Sequence, residues 1–324
     1  MDPLAYLLAS GLSASAAACA ATAVTIAHRF TTPRRVRPTA PGEAHGHTVQ
    51  RVQFHSVDAQ PVSLVGWLVA PPSSTRAVIL VHGRDSARGG ELRSSTAPLV
   101  AALTAAAYTV LLIDLRGHGE SDGRRTTYGL AEQADVVGAI RFLGERGFAP
   151  SVIGVLGASM GGAAAVGAAS TTPELGALII DSAFADFDLL LTRQFSRLTG
   201  IPHFFYAPSQ LAAHALTGAP LRRFAPVRAA RALTATPVMV IHARHDPFVP
   251  VTHAVALADA ANAELWITDC RVHLGSFQQA PAIYISRVMA FLAQHLPAIA
   301  HTPRRHEPES PIERHTPARL RRSA

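Results

Sequence analysis

The sequence predicts an α/β protein built on a mostly parallel, eight-stranded sheet with helices on both faces. Three observations lead there. Short continuous apolar runs such as Ala77-Val78-Ile79-Leu80-Val81 read as strands covered on both sides. Helical patterns separate the later runs, and strand then helix, repeated, is the signature of a parallel sheet. The 324 residues are 48% hydrophobic with only two Cys, Cys19 and Cys270, so the chain can build a core without disulfides. That composition, without a long repeat, excludes collagen-like and wholly disordered chains.

The elements follow in chain order. Pro3–Ala27 is a run of 25 residues without Asp, Glu, Lys or Arg. A bilayer span needs about 20 such residues. Ala, Ser and Thr dominate the run, and only Leu4, Leu7, Leu8, Leu12, Val24 and Ile26 are strongly apolar. A signal peptide would begin with a basic region, whereas this chain begins Met1-Asp2-Pro3. A lipid anchor at Cys19 would want a large aliphatic residue at position 16, which is Ala16. The expectation is a single-pass membrane anchor over residues 1–30, with an Ala-rich helix lying against the main domain as the alternative. Arg29, Arg34, Arg35 and Arg37 follow the run, so the positive-inside tendency would put the main domain on the cytoplasmic side. Residues 31–48, with Pro33, Pro38, Pro41 and Gly42, read as a linker.

Residues 49–300 form the folded domain. Strands are expected at Val49–Val57, Val62–Ala70, Ala77–His82, Thr109–Asp114, Val152–Gly157, Ala177–Asp181, Pro237–Ala243 and Ala263–Thr268. The first two, with no helix between them, read as an antiparallel pair. Helices are expected at Leu92–Ala107, Leu130–Arg146, Ser159–Thr171, Val251–Ala261 and Ala282–Leu296. From 184 to 236 the alternation lapses into an aromatic, amphipathic stretch that includes Phe187, Phe195, Phe204, Phe205 and Tyr206. It reads equally as the roof of an apolar pocket or as ordinary helix packing. The tail, 301–324, mixes Pro with charge and is expected to be disordered.

The net charge of +7 is carried by two short segments: four Arg between 29 and 37, and six Arg against three Glu in the tail. A nucleic-acid face needs clustered charge on the domain itself, so nucleic acid is not an expected partner. All 29 basic residues are Arg, which together with the abundant Ala reflects coding bias rather than function.

The motif that carries chemistry is Gly157-Ala158-Ser159-Met160-Gly161, a G-x-S-x-G between an apolar strand and an Ala-rich helix start. Small residues let strand and helix approach, and the turn lifts the Ser hydroxyl off the sheet at a helix N-terminus. A bare G-x-S-x-G arises often by chance in a chain with 23 Gly, and a solvent Ser in a Gly-rich turn is the bland alternative. The strand and helix on either side favour the functional reading.

With its surroundings the chain resembles the α/β-hydrolase superfamily over roughly 49–296. Leu80-Val81-His82-Gly83-Arg84 is similar to the family's His-Gly turn after the third strand. Ile113-Asp114-Leu115-Arg116-Gly117-His118-Gly119-Glu120-Ser121 is similar to the loop after the fourth. Ile241-His242-Ala243-Arg244-His245-Asp246-Pro247-Phe248-Val249-Pro250 resembles the acid-bearing loop, and His273 with the later Tyr284, Val288 and Phe291-Leu292 resembles the final His loop and helix. Within the family it most resembles bacterial membrane-anchored serine hydrolases with a short cap, related to dienelactone-hydrolase and prolyl-oligopeptidase-type domains. The resemblance implies an α/β-hydrolase fold with a cap insertion at about 184–236.

It also implies a Ser, acid, His order, giving Ser159, Asp246 and His273 as catalytic residues. Two backbone N–H donors, of Met160 and Arg84, would hold the oxyanion. Asp181 and Asp269 compete with Asp246 for the acid; Asp246 is preferred because it follows a parallel strand at the carboxyl edge, where such sheets place their chemistry. His82 and His118 read as structural. His242 and His245 with Asp246 match no zinc motif, so neither metal nor cofactor is expected. Cys270 reads as a buried structural thiol. The implied activity is a serine hydrolase acting on an ester, thioester or amide of a small-molecule or lipid acyl substrate, most readily as an esterase. Peptidase, acyltransferase and non-catalytic membrane-anchored scaffold are the alternatives, and oligomeric state is not legible.

Overall fold

The computed structural model describes residues 3–38 and 46–296. The expected tail, 301–324, and part of the expected linker, 31–48, lie outside the described residues. Eight strands form one sheet: β1 (Val49–His55), β2 (Ser63–Val69), β3 (Arg76–Val81), β4 (Tyr108–Ile113), β5 (Ile153–Ala158), β6 (Ala177–Asp181), β7 (Val238–Ala243) and β8 (Glu264–Thr268). Their order is β1-β2-β4-β3-β5-β6-β7-β8. β1 and β2 run antiparallel, as do β2 and β4, and every later pair is parallel. This is the α/β-hydrolase fold that the strand and helix pattern predicts.

Burial along each strand follows its place in the sheet. β3 is buried from Ala77 on, and β4, β5, β6 and β7 are buried throughout, which explains their continuous apolar runs. β1 and β8 lie at the two edges and keep exposed residues. Helices α2 (Ala97–Ala105), α3 (Gln133–Gly144), α4 (Met160–Ser170), α8 (Val251–Ala261) and α10 (Pro281–His295) cover the two faces. Two separate apolar clusters, one on each side of the sheet, form the core.

One expected helix starts later, and one helix is added. The helix expected from Leu92 begins at Ala97, because Pro98 sits in its first turn, where a missing N–H costs nothing. The residues before it form a loop closed by Glu91, whose buried carboxylate accepts from the Gly89 amide at 2.9 Å and the Thr96 hydroxyl at 2.7 Å. A short helix, α9 (Ser276–Gln279), precedes α10 without a sequence signal that singled it out.

Between β6 and β7 the chain leaves the sheet and makes α5 (Phe187–Thr199), α6 (Tyr206–Thr217) and α7 (Pro226–Ala230). Asp186 caps α5 through the Leu189 amide at 2.9 Å, and Gly200 ends it in the left-handed region with φ of 71°. The aromatic stretch divides. Phe187, Leu190, Leu191 and Phe195 are buried, whereas Phe204 and Leu211 face outward.

The N-terminal expectation is overturned. Residues Pro3–Thr31 form one helix, α1, yet no helix among the described residues is long and apolar enough to cross a membrane. The length suffices; the Ala, Ser and Thr content does not supply the apolar surface. The membrane anchor, the transmembrane assignment and the cytoplasmic sidedness inferred from it therefore fall together. The weaker alternative describes the helix correctly: α1 packs against α6, with Ala23, Ile26, Ala27 and Thr31 buried.

Candidate functional site

The site is assembled at the carboxyl edge of the parallel strands, where loops after β3, β5, β7 and β8 converge. Ser159 stands between β5 and α4 with φ of 52° and ψ of −115°, a strained conformation for a residue with a side chain. Its amide donates to the Asp181 carbonyl at 2.8 Å, and its carbonyl accepts from Ala163 at 3.1 Å, so both neighbouring elements hold the turn. The flanking glycines are steric requirements. A Cβ on Gly161 would fall on the Val81 and His82 carbonyl oxygens, and one on Gly157 would lie 2.6 Å from the Gly161 carbonyl oxygen.

His273 Nε2 lies 2.9 Å from Ser159 Oγ, and its Nδ1 lies 2.7 Å from Asp246 Oδ2. The other carboxylate oxygen of Asp246 accepts from the amides of Phe248 at 2.7 Å and Val249 at 2.9 Å. Burial pushes the Asp246 carboxyl upward, but the bond and charge of His273 and the two amides outweigh it and hold the group below the ordinary Asp range. An ionised Asp246 therefore faces the imidazole.

The meeting of Asp246 with His273 follows from strand pairing. β7 and β8 pair up to Ala243 and Thr268, and the backbones stay together beyond the strands. Arg244 N donates to Thr268 O at 2.7 Å and His245 N to Cys270 O at 3.2 Å. The two loops therefore run side by side and deliver Asp246 and His273 to each other. Asp269 instead points outward, its side chain 83% exposed and bonded to Arg244 Nε at 3.0 Å. Asp181 is buried, accepts from Ser182 Oγ at 2.8 Å and Tyr284 OH at 3.0 Å, and is pushed up to about 6 by burial.

Met160 opens α4 and Arg84 follows Gly83 in the loop after β3. Among the described residues neither backbone amide has a hydrogen-bond partner. Gly83 packs tightly here: a Cβ on it would stand 3.3 Å from both the Ala158 carbonyl oxygen and Ser159 Cβ. The Arg84 side chain turns elsewhere, pairing with Asp85 at 3.0 Å and donating to the Arg29 carbonyl at 3.0 Å.

The other histidines have separate partners. His82 Nε2 accepts from the Leu115 amide at 3.1 Å, which leaves Nδ1 as donor to the Gly83 carbonyl at 2.7 Å. Burial takes His82 down to about 4, and burial beside His82 does the same to His118. His242 Nε2 bonds the Val249 carbonyl at 2.9 Å and lies 3.8 Å from Asp246 Oδ2, while His245 is exposed, so the two do not converge on Asp246 together. Among the described residues no group of three His, Cys, Asp or Glu stands ready for a metal ion. Cys270 is buried.

Three supporting features escaped the sequence reading. From α5, Gln194 Nε2 donates to the Phe248 carbonyl at 3.1 Å and Arg197 donates to the Pro247 carbonyl, so the insert grips the Asp246 loop. Phe248 stacks edge-on against His273 with centroids 5.3 Å apart. The cleft at Ser159 and His273, about 1230 Å³, is bordered by α1 as well as by α5. Long-range polar contacts leave no periodic signal, so nothing in the sequence could have announced them.

Fold and site geometry together define a hydrolase of the α/β class. The comparisons agree: residues 78–302 match the Alpha/beta hydrolase family, and the chain belongs to it. It is 25% identical over 248 residues to the uncharacterised Bacillus subtilis protein YqkD, covering 75% of this chain and 80% of that protein. It is 34% identical over 203 residues to the uncharacterised Mycobacterium tuberculosis protein Rv2307c, covering 61% of this chain and 63% of that one. Among solved structures, the esterase Pf2001 of Pyrococcus furiosus is 27% identical with a TM-score of 0.68, covering 83% of this chain and 99% of that one. An acylaminoacyl peptidase of Pyrococcus horikoshii, 18% identical with a TM-score of 0.58, shares the fold over 77% of this chain and 42% of its own.

Proposed function

We propose that this hydrolase is a serine hydrolase that cleaves a carboxylic ester through an acyl-enzyme. The observation that carries the reading is the continuous chain Ser159–His273–Asp246, with contacts of 2.9 and 2.7 Å, at a strained strand-to-helix turn.

Ser159 Oγ attacks the substrate carbonyl carbon while His273 Nε2 accepts its proton, because a neutral hydroxyl is a poor nucleophile. Asp246 keeps the second proton on Nδ1 and stabilises the imidazolium that forms. The amides of Met160 and Arg84 donate to the developing oxyanion, and the backbone fixes both donors before the charge appears. His273 then returns the proton to the leaving group, the carbonyl re-forms, and Ser159 is left acylated. Water, deprotonated by His273, repeats the sequence and releases the acid. None of these steps calls on a metal or cofactor. A Ser at the turn disfavours the halide- and epoxide-opening chemistry that uses an Asp nucleophile. The likeness to the Pyrococcus furiosus esterase supports an ester over an amide or peptide bond.

The test is labelling by a fluorophosphonate together with hydrolysis of p-nitrophenyl acetate. Wild-type protein should do both, and Ser159→Ala should lose the label and at least about a thousandfold of kcat. A folded wild-type protein that neither labels nor turns over would defeat the proposal in favour of a non-catalytic role.

A further inference from the structure

The helix that the sequence assigns to a membrane borders the catalytic cleft instead. Thr22, Thr25, Ile26 and Phe30 line it together with Phe187 and Leu191 of α5. Polar bonds to the loops after β3 and β4 set where this border stands. Arg84 reaches the Arg29 carbonyl at 3.0 Å, Tyr128 OH the Phe30 carbonyl at 3.0 Å, and the Thr126 amide the Thr31 carbonyl at 2.8 Å. Just beyond α1, Arg35 donates to the carbonyls of Gly119, Ser121 and Gly123 at 2.7–2.9 Å. The Arg34 amide donates to Asp85 Oδ1 at 2.7 Å. These anchors lie on the same loops that border Ser159, so α1 has a fixed place relative to the nucleophile.

The part of the border made by Thr22, Thr25, Ile26 and Phe30 is apolar in character despite its threonines, while His28, Arg29 and Thr32 put polar groups on the lining beside it. Thr22 Oγ1 and Thr25 Oγ1 donate back to the Ala18 and Ala21 carbonyls at 2.9 and 2.8 Å. Their hydroxyls are thereby spent inside the helix. Ile26 and Phe30 add hydrocarbon, and between α1 and α5 a further void of about 20 Å³ continues past Ile26, Phe30, Phe187 and Leu191. The cleft volume of about 1230 Å³ exceeds the roughly 300–1,000 Å³ usual for small-ligand sites.

We infer that α1 is the acyl-chain wall of this enzyme: the surface of Thr22, Thr25, Ile26 and Phe30, facing α5, binds the hydrocarbon chain of a medium- or long-chain acyl ester and sets the preference for it over short esters. The inference rests on the serine-hydrolase reading for the reaction, but the binding of the chain stands apart from catalysis. Each methylene that leaves water along such a wall is worth about fourfold in binding.

The test uses the full chain with Thr25→Trp, an exposed position where a large ring occupies the cleft without disturbing the core. Val24→Trp, which puts the same ring on the neighbouring exposed position of α1 outside the cleft lining, is the control. Two measurements are made: the ratio of kcat/KM for p-nitrophenyl decanoate to that for p-nitrophenyl acetate, and the Kd of a fluorescent long-chain fatty acid for the same variants in a Ser159→Ala background. Thr25→Trp should lower the ratio at least about tenfold and raise Kd by a similar factor, as expected when two or more methylenes lose their contact. Val24→Trp should stay within about twofold on both. An unchanged Kd in Thr25→Trp overturns the inference whatever the turnover. A Kd that rises as expected in a protein that hydrolyses neither ester supports the wall and defeats the serine-hydrolase reading alone.

Discussion

Replacing Asp246 by Asn keeps the size of the side chain and reverses the hydrogen-bond logic around His273. Asp246 Oδ1 receives two amides, from Phe248 and Val249, at 2.7 and 2.9 Å. An Asn must therefore turn its carbonyl oxygen toward those amides, because placing NH₂ there would oppose donor to donor. Its NH₂ then faces His273 Nδ1, 2.7 Å from the present acceptor oxygen. Nδ1 becomes an acceptor, the ring proton moves to Nε2, and the base that should take the Ser159 proton no longer exists. Loss of the orienting acid by this tautomer change costs serine hydrolases about ten-thousandfold in kcat, or ~5.4 kcal/mol of barrier at 1.36 kcal/mol per tenfold. The assay is kcat for p-nitrophenyl acetate between pH 7 and 9, with circular dichroism to show that the variant is folded. Stability gives a second readout. The folded Asp246 carboxyl lies below its ordinary value, so its contribution is present above about pH 4 and is lost as pH falls through the folded value. Asp246→Asn should remove that pH-dependent loss. Near-normal turnover by folded Asp246→Asn would refute the assignment of the acid.

Asp181→Asn should cost less than about tenfold in kcat, since Asp181 bonds Ser182 and Tyr284 rather than His273. Its folded value of about 6 exceeds the unfolded 3.8, so ionisation weakens the fold as pH rises; the Asn variant should gain up to roughly 3 kcal/mol relative to wild type between pH 4 and 8 by urea titration. An equal difference at both pH values would contradict this. Asp269→Asn, which breaks only the exposed pair with Arg244, should change stability by less than about 1 kcal/mol and kcat by less than tenfold; a collapse of activity would move the acid to Asp269. Gly161→Ala sets a Cβ against the Val81 and His82 carbonyl oxygens and should destabilise by about 3 kcal/mol or more in chemical denaturation, with unchanged stability counting against the close packing of β3 on α4. Arg84→Ala keeps the proposed backbone donor and should hold acetate turnover within about threefold, whereas a thousandfold fall would make its side chain catalytic.

How far the sequence reaches is clearest where local and long-range causes can be separated. β3, β5, β6 and β7 were legible because strands covered on both faces must be apolar throughout, and the covering helices give a second period. The turn at Ser159 was legible because sterics write it locally: only small residues fit at 157 and 161. α2 starts later than the apolar pattern places it, because Glu91 closes a loop ahead of it and Pro98 stands in its first turn. α1 departs from its sequence pattern for a different reason. A charge-free run of Ala, Ser and Thr satisfies the length of a membrane span, while its actual hydropathy falls short.

By itself, the sequence determined the sheet, the covering helices, the G-x-S-x-G turn and the short set of acids and histidines from which a site could be built. Each of these is imposed by neighbours within a few residues, through periodicity, volume or φ. Tertiary structure alone decided which of Asp181, Asp246 and Asp269 faces His273, because that depends on the register between β7 and β8 and on loops that stay paired beyond it. It also decided that α1 borders the cleft. The Arg35, Tyr128 and Arg84 bonds that hold it there join residues 55 to 98 positions apart, and separations of that size leave no imprint on local pattern.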